Sequence, residues 1–326
     1  MTTAFVAVLA FNLVAALLLR GEARQVISRV DNGTGITQLA IGNSLIAYGY
    51  NSIVYDDRRG EGARSLNAAI SGSWPVEHLL MLRQGIAHQP KLRSVIYGFF
   101  DFQLTSNPPV EVSQMFGANA MGLFAEPKVA VRYYNMSWSE RLKFSILKHV
   151  PVYVDRGNFW WFVEILRRKL YAIGLPHKAN DGPDAGFSVN IEPMTDTEFD
   201  AEAQNELAHG VALSPPVREM LREARADGVS FVVIEMPVRR DHLRLYDHSS
   251  WTRYAAEVRH LVETQGGLFI DGSRWINDPE YFWDEIHLTE VGARRFSADL
   301  ADFLRNRRDS INTASVSSLS WKLSPQ

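Results

Sequence analysis

Residues 37–46, TQLAIGNSLI, carry the pattern on which the fold reading turns. Thr37–Gly42 is a short apolar run without helical spacing, which reads as a buried strand. It stops at Asn43-Ser44, and Leu45, Ile46 and Tyr48 then supply the apolar positions of a helix. The same strand-to-helix grammar recurs along the chain. Ser65–Ile70 (SLNAAI) is a second strand-like run, closed by Ser71-Gly72-Ser73, and Val76–Ala87 follows with Leu79, Leu80, Leu82 and Ile86 on one helical face. Ser94–Phe100 (SVIYGFF) comes after the breaker Pro90, Val229–Glu235 (VSFVVIE) is the clearest strand, and Gly267–Ile270 leads to Asp271. Helices are predicted over Pro215–Asp227, Trp251–Glu263 and Glu290–Asn306.

Strands alternating with helices imply an α/β fold with a mostly parallel sheet covered on both faces. In such sheets ligands sit beyond the carboxyl ends of the strands. The stretch 105–216 breaks the alternation. It is aromatic-rich, with an amphipathic helix expected over Gly157–Leu170 and a loop over His177–Asp184, and it reads as a helical, aromatic insertion or cap. Trp160 and Trp161 are read as packing residues within it rather than as a sugar platform. The domain is expected over 36–308, after a polar linker at Asp31–Gly35. A loose Ser-rich tail is expected over 309–326.

The 326 residues are 46% hydrophobic and 22% charged, which excludes wholesale disorder. A net charge of -3 with no basic, aromatic-interleaved cluster argues against a nucleic-acid partner. With no cysteine, disulfides, thiolate metal sites and a Cys nucleophile are all excluded. His78, His88, His149, His177, His209, His242, His248 and His260 are scattered without metal-ligand spacing, so no metal is expected. Gly60-Glu61-Gly62 lacks the lysine and hydroxyl of a phosphate loop, and no cofactor is expected. Arg239 and Arg240 follow the VSFVVIE strand and read as a solvated loop.

Ala4–Leu19 is an apolar run interrupted only by Asn12. It is shorter than the roughly 20 residues that span a bilayer comfortably, and no basic residue precedes it. Residues 1–24 are read as a single-pass membrane anchor, with a buried helix as the alternative. Arg20, Arg24 and Arg29 follow the run, which by the positive-inside rule holds the domain in the cytoplasm. A start placed too far downstream would reverse that, so the sequence leaves the membrane side open.

Two places could carry chemistry. Ser44 ends a buried strand, with Gly42 permitting a tight turn and the following helix offering free N–H groups to an oxygen. On that motif alone, Ser44 reads equally well as a helix N-cap. Asp284 and His287 lie three apart in WDEIHLTEVGARRF. That spacing lets the carboxylate reach Nδ1–H while Nε2 stays free to take a hydroxyl proton.

Together, GNS beside the first strand and DxxHL before the last helix resemble the SGNH/GDSL hydrolase family. The resemblance covers about 37–102 and 229–304. It implies a three-layer, doubly wound, flavodoxin-like sheet, with Ser44 as nucleophile and Asp284 and His287 completing a triad. It also implies an oxyanion hole from the N–H groups of Ser44 and of Gly72 in LNAAISGSW. The family's third block is matched only in part. In YGFFDF, Gly98 and Asp101 align, but Phe100 stands where the family has an asparagine oxyanion donor. The implied activity is hydrolysis of O-acyl esters, acetyl above all, on a small-molecule or polysaccharide substrate. Two alternatives share the resemblance: O-acyl transfer to a cell-envelope polysaccharide, and a non-catalytic envelope binding protein. With its apolar N-terminal segment and its second block, the layout looks more like envelope-associated relatives, including alginate-acetylation proteins, than secreted lipases.

Overall fold

The computed structural model describes residues 22–60, 62–106, 124, 132–133, 136–147, 150 and 194–320, with side chains as far as 307. The Ala4–Leu19 run, the Gly157–Leu170 helix with Trp160 and Trp161, and the 177–184 loop lie outside these residues. Five strands form one sheet: β1 (Gln38–Ile41), β2 (Ser65–Asn67), β3 (Ser94–Phe99), β4 (Ser230–Glu235) and β5 (Leu268–Asp271). Their order is β2-β1-β3-β4-β5 and every pairing is parallel. Parallel neighbours need crossovers, and helices supply them. The helices are α1 (Glu22–Asn32), α2 (Ser44–Gly49), α3 (Ser52–Arg59), α4 (Pro75–His88), α5 (Trp138–Leu147), α6 (Asp196–His209), α7 (Pro215–Ala226), α8 (Arg240–Leu243), α9 (Ser249–Thr264) and α10 (Glu290–Ser320).

The sheet is covered on both sides because β1, β3, β4 and β5 are apolar at consecutive positions, and alternation in a strand sends neighbours to opposite faces. Leu39, Val95, Tyr97, Phe231, Val233 and Phe269 join one core with Leu79, Val217, Leu221 and Val258. Ala40, Ile96, Val232, Ile234 and Ile270 join the other with Leu45, Ile46, Phe296 and Leu300. On the first face α4 packs against both α1 and α7; on the second, α10 packs across α2 and α3.

Several boundaries differ from the sequence reading. Glu22–Arg24, counted with the expected anchor, open α1, whose Val26, Ile27 and Val30 are buried. Asp31 and Asn32, expected in a linker, close that helix, because the spacing of those three apolar residues continues the helical face through the polar ones. Among the described residues no helix is long and apolar enough to cross a membrane. β2 stops at Asn67, yet Ala68 and Ile70 still donate N–H bonds to the carbonyls of Ala40 (2.8 Å) and Gly42 (3.1 Å). At the other end α10 runs to Ser320, through the segment expected to be a loose tail. From Ala293 onward it contains no glycine or proline to end it.

Part of the expected insertion also packs on the domain. Phe199 of α6 is fully buried against Phe102, Tyr246 and Trp251, with ring centroids 5.0, 5.8 and 5.0 Å away.

The helix that begins at Ser44 lies unusually close to the sheet. A Cβ on Gly98 of β3 would come within 2.3 Å of the Ile46 side chain, and one on Gly49 within 2.8 Å of Met236. Gly98→Ala is therefore expected to destabilise the fold by about 1–3 kcal/mol, the usual cost of overpacking. Urea unfolding would read this as a lower midpoint at an unchanged slope, and an unchanged midpoint would mean the helix can move away freely.

Candidate active site

Ser44 stands where β1 gives way to α2. Gly42 holds φ at +149°, and a Cβ there would meet the Gly98 carbonyl at 3.0 Å, so this turn requires glycine. Asn43, not Ser44, is the N-cap: its side-chain oxygen accepts the Leu45 N–H at 3.0 Å. The serine hydroxyl is thus released from the capping role that the motif alone allowed it. It lies half-buried at the carboxyl edge of the sheet.

Asp284 and His287 occupy a short loop closed on itself. Phe282 and Leu288 form an antiparallel bridge with both side chains in the core, and the Trp283 N–H donates to the His287 carbonyl at 2.9 Å. Gly292 in the first turn of α10 lets that helix approach, since a Cβ there would lie 2.5 Å from the Tyr281 carbonyl. Inside the loop, Asp284 Oδ1 accepts the backbone N–H groups of Ile286 (2.9 Å) and His287 (2.8 Å). Its Oδ2 accepts from His287 Nδ1 at 2.7 Å. Burial alone would push the Asp284 carboxyl up. The bonds from the His287 ring and the two N–H groups outweigh that and hold it at about 2. An ionised Asp284 fixes the proton on Nδ1, so Nε2 carries the lone pair. That nitrogen lies 2.8 Å from Ser44 Oγ, and the hydroxyl donates to it.

Gly72 follows β2 in an exposed turn with φ +70°, on a segment tied to the serine turn. The Ile70 N–H (3.1 Å) and the Ser73 hydroxyl (3.2 Å) both donate to the Gly42 carbonyl. Ser73 also donates to Ile70 O at 2.6 Å and meets His78 Nε2 at 2.9 Å, while His78 Nδ1 meets the Tyr97 hydroxyl at 3.1 Å. His78 is fully buried, which pushes its pKa down to about 3, so it is neutral. Since the Ser73 proton goes to carbonyls, Nε2–H donates to Ser73 and Nδ1 accepts from Tyr97. Asn67 adds a second tie: its amide nitrogen donates to the carbonyls of Ile46 (2.9 Å), Ala47 (3.2 Å) and Tyr50 (2.9 Å), closing the open end of α2.

No protein-family model matches the chain, and no curated protein matches it. Geometry therefore carries the functional argument. Ser44, His287 and Asp284 are brought together in one hydrogen-bonded line, although Ser44 and His287 are 243 positions apart.

Asp101 belongs to a different cluster. It is the one non-glycine among the described residues with left-handed φ (+48°). Its Oδ1 accepts from the Tyr246 hydroxyl (2.6 Å) and from His242 Nε2 (3.1 Å). Burial works against charge on His242, but the bond and charge of Asp101, with Glu285 and Asp241 nearby, raise its pKa overall. Phe100 is half-buried against the second core and has no side-chain donor to offer. Arg239 is paired with Asp241, and its N–H donates to the Glu285 carbonyl at 2.8 Å, tying the end of β4 to the loop that carries Asp284 and His287. Among the described residues no group of acidic or histidine side chains could hold a metal ion.

Glu235 ends β4 fully buried, and its Oε1 lacks a hydrogen-bond partner among the described residues. Burial pushes its carboxyl well above the ordinary 4.5, the nearby Asp271 and Asp101 charges push further, and a bond from Tyr246 pulls back only in part. The sequence reading assigns no role to Asn67 or Glu235, takes Ser73 only as part of a turn, and sets His78 aside as a metal ligand. The available signal was a polar residue set inside or at the end of an apolar run, as in SLNAAI and VSFVVIE. A folded-state pKa raised in this way contributes stability that is full below about pH 4.5 and is lost as pH rises through the folded value. Glu235→Gln, neutral throughout, is expected to gain on the wild type as pH increases from 5 to 8 in chemical unfolding. A gap that stays flat across that range would show that Glu235 ionises freely in the fold.

Proposed function

We propose that this protein is a serine ester hydrolase of the SGNH/GDSL type, acting on O-acyl esters through an acyl-enzyme. The observation that carries the reading is the line Ser44 Oγ–His287–Asp284, with bonds of 2.8 and 2.7 Å. Its members play the nucleophile, base and orienting roles that such hydrolysis needs. Position supports it as well. The strand order β2-β1-β3-β4-β5 is compatible with a doubly wound, flavodoxin-like sheet, and Ser44 follows β1 at the point where the strand order reverses.

In this mechanism His287 Nε2 takes the Ser44 proton as Oγ bonds to the ester carbonyl carbon, and the carbonyl π pair moves onto its oxygen. Asp284 stabilises the imidazolium. The N–H groups of Ser44 and Gly72 are the oxyanion donors in this reading, with no side chain at Phe100 to add a third. A missing donor costs an acyl-transfer enzyme about 3–4 kcal/mol, so the rate is expected to be modest. The intermediate collapses, the C–O bond to the alcohol breaks, and the alcohol oxygen receives the proton from Nε2. Water then adds to the acyl carbon, His287 takes its proton, and the Oγ–C bond breaks as the proton returns to Ser44.

The test is turnover of small acetyl esters together with labelling by a fluorophosphonate. Ser44→Ala should remove labelling and reduce kcat on the order of 10⁶-fold. Asp284→Asn, which favours the wrong tautomer, should reduce it by about 10⁴-fold. A folded wild type that neither labels nor turns over any acyl ester would instead favour a non-catalytic binding protein.

A further inference from the structure

Beside His287 the surface carries two large aromatic side chains that no core claims. Trp283 is 61% exposed and Tyr48 is 45% exposed. Their ring centroids lie 5.6 Å apart at an interplanar angle of 46°, and Tyr48 meets the His287 ring edge-on at 6.0 Å. Both also line a cavity of about 340 Å³, whose walls include Ala47, Asn51, Leu288 and Glu290. That volume is at the small end for ligand sites, room for about one ring rather than a chain.

The chemistry decides which part of an ester belongs there. The departing oxygen receives its proton from Nε2, so it must come within hydrogen-bonding reach of that atom. Whatever that oxygen is attached to then lies against the side chains flanking the imidazole. Tyr48 is such a side chain, and Trp283 stands against it. The acyl carbonyl, bonded to Ser44 Oγ, directs its oxygen to the N–H groups of Ser44 and Gly72 instead. The aromatic pair and the cavity therefore meet the alcohol half of the substrate.

The lining selects among alcohols. Aromatic faces suit the C–H face of a sugar ring, and polar groups around them suit its hydroxyls. Asn51 uses its side-chain oxygen to cap α3 through the Val54 N–H at 3.1 Å, leaving its NH₂ as the group that can donate. Glu290 can only accept. Among the described residues no lysine or arginine lines the cavity, and Glu290 is the one acidic side chain in its walls. A ring bearing a carboxylate would be repelled. Resting on the hydrolase reading above, we propose that Tyr48, Trp283 and the adjoining cavity form the subsite for the neutral sugar ring of an O-acylated glycoside.

The experiment has two arms, so that this proposal and the hydrolase reading fail separately. In the first, kcat/KM is measured for an acetylated neutral methyl glycoside, for the matching acetylated methyl uronate, and for methyl acetate, whose alcohol is too small to span the subsite. The wild type should prefer the neutral glycoside over the uronate, and Trp283→Ala should lower the glycoside-to-methyl-acetate ratio at least tenfold. Glu290→Gln should narrow the gap between neutral and acidic sugars. In the second arm, calorimetry follows binding of the deacetylated neutral methyl glycoside to Ser44→Ala protein, with and without Trp283→Ala. Binding that depends on Trp283 supports the subsite even if no ester is hydrolysed. Methyl acetate turnover with an unchanged ratio and no Trp283-dependent binding would overturn it, as would a preference for the uronate. Trp283 is largely exposed, so its truncation leaves the core intact.

Discussion

Ile46 rests on the bare α-carbon of Gly98, and that contact sets where the serine stands. The distance leaves no room for a methyl group, so α2 lies directly on β3 and Ser44 is held at the carboxyl edge of the sheet. The other supports serve the same placement. Asn67 holds the far end of α2 by three carbonyls, and Asn43 caps the near end. The Gly42 carbonyl receives two donors from the neighbouring turn. A six-residue helix cannot hold its own shape in water. Here it is held at both ends by side chains and on one face by the sheet.

Around that point the chain builds two titratable groupings with different tasks. One is the line from Ser44 to Asp284, at the half-exposed edge, where the carboxylate is kept charged by donors from its own loop. The other lies at the ends of β3 and β4, where Asp101, His242 and Tyr246 share bonds and the buried Glu235 lacks a full set of partners among the described residues. The groupings meet through Glu285, whose carbonyl is held by the Arg239 N–H and whose carboxylate lies 3.8 Å from His242. The buried grouping fixes the segments on which the exposed one depends. Asp101 is occupied in that network, and the residue before it is an apolar Phe100 packed on the core.

Much of this was legible along the chain. Short runs such as VSFVVIE and TQLAIG, bounded by turn residues, announce strands buried on both faces, because a parallel sheet covered by helices on both sides accepts apolar residues at successive positions. The DxxH spacing announced a carboxylate within reach of its histidine, since three residues suffice for one turn to close. Element ends were less legible. Asp31 and Asn32 look like a linker, yet packing of Val26, Ile27 and Val30 carries the helix through them. β2 loses strand geometry after Asn67 although its ladder bonds persist.

The sequence by itself determined the class of fold and the residue types available for chemistry, because periodicity and short-range spacing are local properties. It also supplied the glycines that later permit close approach, but not what approaches them. Only the tertiary structure decided that Asn43 takes the cap and frees Ser44, and that His287 reaches it across the whole domain. It alone set Tyr48 beside Trp283, residues 235 positions apart by their numbers. The reason is geometric: a parallel sheet gathers the carboxyl ends of all its strands at one edge, whatever their separation along the chain.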